Sequence, residues 1–179
     1  MERLHTHTMI AKRDIEHIYG AIFLAAYASF EAMLEDLFFK LLTSRVRPPR
    51  LVKLKATFSS DSVARDVVFG KRKYLDWVPY DRTIERAESL FYGGRPFTKL
   101  DSNEKLQVKA VCIIRNAIAH KDGHARRRFD KEVISGHALA PRERTPTGYL
   151  RSLHSTTPNV SRYEQLVGEL TSIARNLAS

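Results

Sequence analysis

The chain has 179 residues, of which 43% are hydrophobic and 28% charged, the make-up of an ordinary globular protein long enough for one substantial core. Its formal net charge of +10 points to a polyanionic partner, nucleic acid first. A single cysteine, Cys112, excludes an intramolecular disulfide and a cysteine-cluster metal site and fits a reducing cytoplasm, and no apolar run reaches the roughly 20 residues of a membrane span.

Residues 1–13 lack the apolar core and cleavage pattern of a signal peptide, and His5 and His7, although spaced for metal ligation, have no third ligand near them. A solvated start is expected. Between residues 9 and 43, Ile15, Ile18, Ile22, Ala26, Phe30, Met33, Leu37 and Leu41 recur every three or four positions without a proline. That spacing predicts a helix of about 30 residues, roughly 45 Å long. Tyr19, Phe23, Leu34, Phe38 and Leu42 widen the stripe, as in a helix packed on two sides, so it reads as the spine of a bundle. Pro48 and Pro49 stop it. The five cations between Arg45 and Lys55 read as a solvated connection, with a phosphate-facing strip as the alternative.

A second helix is expected over 61–69, with Asp61 at its N-cap and Gly70 interrupting it. A third, over 81–91, has Asp81 as its cap and Ile84, Ala87, Leu90 and Phe91 facing inward. The middle of the chain, including Trp77, is the least regular part, where a functional loop would sit. The central helix begins near Asp101 or Ser102 and runs to about residue 121, with Gly123 signalling that its end is close. A long ordered loop is expected over 135–159, with an extended piece at 148–153, and a loop of that length argues for a role in function or assembly. The last helix starts at Ser161, where Glu164 completes a capping box, and buries Leu166, Val167, Leu170, Ile173, Ala174 and Leu177. With no internal repeat and no clear β alternation, residues 1–179 are expected to form one all-α domain, an up-and-down bundle of four or five helices.

Within the central helix, Arg115 and Asn116 interrupt a run that is otherwise apolar from 110 to 119. A guanidinium in such a setting is kept when it is paired, hydrogen-bonded or used. The run ends at His120, whose side-chain type takes up and releases protons near neutrality. Asn116 and His120, four residues apart, share a helical face, whereas Arg115 and His120 sit roughly 140° apart round the axis. Either Arg115 reaches around the helix end, or Arg115 and His120 converge on one target across a seam between two copies of the helix. Glu31, beside the apolar stripe of the first helix, is the candidate partner for Arg115. The bland alternative is a buried Glu31–Arg115 ion pair that fixes two helices, with His120 a polar helix end.

Cutting RNA without a metal requires a base for the 2′-hydroxyl proton, a cation for the charge on the pentavalent phosphate, and an acid for the leaving oxygen. His120 suits the first or last task, and Arg115 suits the second because its planar fork matches two phosphate oxygens. Asn116 can orient the imidazole or the substrate. Lys121, Arg126, Arg127 and Arg128 follow and are candidates for guiding an RNA backbone, or form a solvated basic face. Tyr19, Tyr74 and Trp77 are candidates for base stacking, although Tyr19 by its place in the stripe belongs to the core. No nucleophile elbow and no glycine-rich phosphate loop is present, and His124, His137 and His154 have no evident partner.

Arg115-Asn116-x-x-x-His120 resembles the R-x4-H motif, commonly with Asn after the Arg, of the HEPN superfamily (higher eukaryote and prokaryote nucleotide-binding domains), many of which are metal-independent ribonucleases. The resemblance covers the central helix, and the first helix by pattern. It implies a helical bundle acting as a homodimer, with the site at the seam between motif helices. It further implies 2′-hydroxyl attack leaving a cyclic phosphate, no cofactor, and a role as a toxin or defence effector held in check by a cognate antitoxin. One subset of the family carries a Tyr two residues after the His, which a nucleotidyltransferase antitoxin modifies; this chain has Asp122 there. The rival expectation is a non-catalytic helical module that binds nucleic acid or a nucleotidyltransferase partner, and a third is a nucleotide-binding regulator.

Overall fold

The computed structural model describes residues 11–45, 52–120 and 122–179. The proline-free apolar stripe forms α1 (Lys12–Leu42), a single uninterrupted helix. Its deepest face runs through Ile15, Phe23, Tyr27, Phe30, Leu34, Phe38, Leu41 and Leu42. Ile18, Ile22, Ala26, Met33 and Leu37 are only half-buried. The aromatic residues displace the axis of the stripe, because each removes more apolar area from water than an aliphatic neighbour.

Next come α2 (Asp61–Phe69), whose N-cap is Ser60, its Oγ accepting from the Val63 amide, and α3 (Tyr80–Leu90), which starts after Pro79 without a side-chain cap. The caps expected at Asp61 and Asp81 are therefore first-turn residues, placed where a carboxylate favours the positive helix end. Gly70 ends α2 at φ 57°, which a residue with a Cβ rarely adopts. Two short 3-10 turns, Tyr92–Gly94 and Phe97–Lys99, lead to α4 (Ser102–Ala119). Then α5 (Gly123–Phe129) continues into a π-type turn at Asp130–Ile134. A 3-10 turn at Pro141–Glu143, α6 (Pro146–Arg151), the antiparallel pair β1 (Leu153–Thr156) and β2 (Asn159–Ser161), and α7 (Arg162–Ala178) complete the chain.

The fold is all-α, with one two-stranded ribbon among the described residues. Its helices outnumber the four or five expected because α5 forms directly after α4 and the stretch expected as a long loop contains α6. The piece expected to be extended at 148–153 is mostly helix: Thr145 caps it through the Gly148 amide, and Pro146 fits the first helical position. No helix of the described residues is long and apolar enough to cross a membrane.

Contacts group the chain into two compact units. The first takes residues up to 28 and 110–169; the second takes 29–109 and 170–179. In the second, the Phe38 ring lies 5.0 Å from Trp77, 5.1 Å from Phe91 and 5.3 Å from Phe97. Beside this cluster Trp77 Nε1 donates to Glu35 Oε2 at 2.9 Å. Arg65 bridges Glu35 and Asp61 and lies 4.3 Å over the Phe39 ring. Trp77, Glu35, Arg65 and Asp61 thus meet polar partners at that apolar edge, as burial favours. In the first unit, Phe129 and Tyr149 meet edge to face at 5.9 Å, and Arg162 covers Tyr149 at 4.9 Å.

Candidate functional site

The site is built where α4 leaves the core of the first unit. Val111 to Ile114 are buried, Arg115 to Ile118 half-buried, and Ala119 and His120 exposed. The last turn closes with the His120 amide on the Asn116 carbonyl at 2.8 Å. The imidazole is therefore anchored by the helix yet open to solvent.

Arg115 reaches around this helix end. Its Nη1 donates to Asn116 Oδ1 at 3.0 Å and lies 3.5 Å from His120 Nε2, while its guanidinium stands 5.3 Å over the Tyr27 ring. The first of the two sequence alternatives is thus realised within one chain, because an Arg side chain is long enough to offset the angular separation near a terminus. At 3.5 Å the Arg–His approach is at the outer limit of a hydrogen bond, so both groups keep capacity for a shared acceptor. Asn116 Nδ2 lies 3.8 Å from Cys112 Sγ, so this amide links the buried and exposed parts of α4.

Gly123 does not stop α4. It is the first residue of α5, and the cap is Asp122, whose Oδ1 accepts from the His124 and Ala125 amides, both at 2.8 Å. The Ala125 amide first, then the His124 amide and the nearby His120 and His124 imidazoles, hold the Asp122 carboxyl below its usual range, against partial desolvation. This sharp turn makes a pocket of about 150 Å³ lined by Asn116, His120, Asp122, His124 and Arg128, with Ile113 and Ala125 on its apolar side. His124, which had no evident partner in the sequence, therefore shares a pocket with His120. Its spacing of four from His120 was the available signal, but only the break between the helices decides the placement.

The basic residues divide. Arg126 Nε donates to Asp130 Oδ2 at 3.2 Å and its Nη2 to the Arg144 carbonyl at 2.8 Å. Arg128 Nε donates to Glu132 Oε1 at 2.9 Å while its side chain still lines the pocket. Arg127 is exposed. Lys121 lies outside the described residues, as do His5, His7, Pro48 and Pro49. Glu31 is half-buried on α1.

The aromatic candidates divide as well. Trp77 is 2% exposed within the Phe38 cluster, and Tyr19 meets Tyr163 edge to face at 5.8 Å. Tyr74 is 76% exposed. Among the described residues no group of three or more His, Cys, Asp and Glu is placed to hold a metal ion. Comparison with protein-family models, with curated proteins and with solved structures finds no match to this chain.

Proposed function

We propose that the chain is an endoribonuclease of the HEPN type, cutting RNA by attack of a ribose 2′-hydroxyl on the adjacent phosphorus. The observation that carries this reading is the 3.5 Å approach of Arg115 Nη1 to His120 Nε2 at a solvent-open helix end. A cation and an imidazole so close can address one phosphodiester: the guanidinium takes the charge that grows on the nonbridging oxygens, and the imidazole exchanges a proton. In the reaction the 2′-oxygen forms a bond to phosphorus as its proton leaves, the bond to the 5′-oxygen breaks, and that oxygen receives a proton. The products are a 2′,3′-cyclic phosphate and a 5′-hydroxyl end. Asn116, bound to Arg115 Nη1, holds the guanidinium toward the imidazole. Because one imidazole does not readily serve as acid and base in the same step, the reading includes a homodimer in which a second copy supplies the other proton-transfer group. A toxin or defence effector restrained by a partner protein is the biological role that accompanies this chemistry.

The test is cleavage of single-stranded RNA in EDTA. Wild type is expected to generate cyclic-phosphate ends, and His120→Ala to lose about 10²- to 10⁴-fold in turnover while keeping its RNA affinity. If the wild type cuts nothing, or the variant cuts equally well, the nuclease reading falls. A basic helical module that binds nucleic acid without cutting it would then remain.

A further inference from the structure

A cleft of the second unit lies between residues 72–76 and α3 and has a volume of about 690 Å³. Arg72, Lys73, Arg82 and Arg86 line it, against only two carboxylates, Asp76 and Glu85. Asp76 is already engaged: its carboxylate takes Arg82 Nη1 at 2.6 Å, and its main-chain carbonyl takes Arg86 Nη1. Arg86 is half-buried with its guanidinium 5.2 Å over the Trp77 ring, so part of its hydration shell has been replaced by an aromatic face. Partial burial first, then the neighbouring Arg72 and Arg82, lower the Arg86 pKa from its ordinary value. The cleft thus concentrates positive charge that its own carboxylates only partly balance.

The same cleft carries Tyr74, whose ring is 76% exposed. A large flat ring standing in water beside several cations is the combination that holds single-stranded nucleic acid: the cations follow the phosphates and the ring stacks a base. We propose that this cleft is a binding subsite for a nucleotide unit of a single strand, with its phosphate on Arg72, Lys73 and Arg86 and its base on Tyr74. An acidic peptide would use the cations but gain little from the phenol ring.

Trp77 makes the site testable on the whole chain. It is the only tryptophan and its ring lies beneath Arg86, so its emission reports this cleft. The probe is a short single-stranded 2′-O-methyl RNA, which lacks the attacking hydroxyl, so the result is independent of whether the chain cuts RNA. Titration is expected to change Trp77 emission saturably, with uridine monophosphate binding more weakly and inorganic phosphate more weakly still. Tyr74→Ala is expected to weaken the Trp77-reported affinity about tenfold and Tyr74→Phe to preserve it. Lys73→Glu is expected to weaken it and to flatten its salt dependence. Both positions are exposed, so neither variant endangers the fold. The inference is overturned if the strand binds, as followed by anisotropy of a labelled copy, without a saturable change at Trp77. It is equally overturned if polyglutamate or inorganic phosphate titrates Trp77 as well as the strand does and Tyr74→Ala has no effect.

Discussion

Main-chain crowding fixes the residue at position 148. A Cβ added to Gly148 would lie 2.2 Å from the Arg142 carbonyl oxygen and 2.7 Å from Thr145 Oγ1, the cap of α6. Neither the main-chain carbonyl nor a hydroxyl already bonded to the Gly148 amide can yield cheaply. Gly148→Ala is therefore expected to destabilise the first unit by about 1–3 kcal/mol, as overpacking does. The denaturant midpoint measures it, and an unchanged midpoint would show that the turn relaxes freely. Nothing in the sequence marks this glycine, because the contact joins residues six apart across two turns. Arg115 and His120 are the opposite case: their types and spacing left two arrangements open, and side-chain length at a helix terminus selects one. Trp77 and Tyr74, three residues apart, looked alike as stacking candidates, yet one is sealed beneath Arg86 and the other stands in solvent.

The start of α7 was legible in the sequence. The capping box expected at Ser161 and Glu164 is present, with Glu164 Oε2 accepting from both the amide and the hydroxyl of Ser161 at 2.8 Å. It could be seen in advance because a reciprocal cap lies within four consecutive residues. The helix that follows α4 was not foreseen. A glycine after an apolar helix reads as its stop, but Asp122 immediately before Gly123 is equally a cap for a following helix, and that role prevails here. Because main-chain amides depress the folded-state pKa of Asp122, its contribution to stability is present above the ordinary Asp value of about 3.9 and is lost as pH falls through the folded value. Asp122→Ala is expected to fray the start of α5, seen as faster hydrogen exchange at the Ala125 amide. Asp122→Asn, which also caps, should protect that amide and make its exchange less sensitive to acid. If Asp122→Ala leaves exchange at Ala125 unchanged, the carboxylate does not hold the turn that shapes the His120 pocket.

For the whole molecule, net charge does not say which cations a polyanion can reach. Of the thirty Lys and Arg in the chain, Lys40, Arg65, Arg82, Arg126 and Arg128 are held by carboxylates of the same chain. What the bulk charge cannot specify is how many copies complete a site, and the proposed chemistry makes a definite statement there. If each productive site needs His120 from two copies, activity follows the fraction of dimers in which both are intact. Mixing wild type with an equal amount of His120→Ala, after subunit exchange, should then leave about a quarter of the original specific activity per total chain. A site complete within one chain, with His124 as the second proton-transfer group of its 150 Å³ pocket, would leave about a half. In that second case His124→Ala should suppress turnover nearly as strongly as His120→Ala, so the mixing curve and the His124 variant together decide whether the second imidazole comes from a twin or from α5.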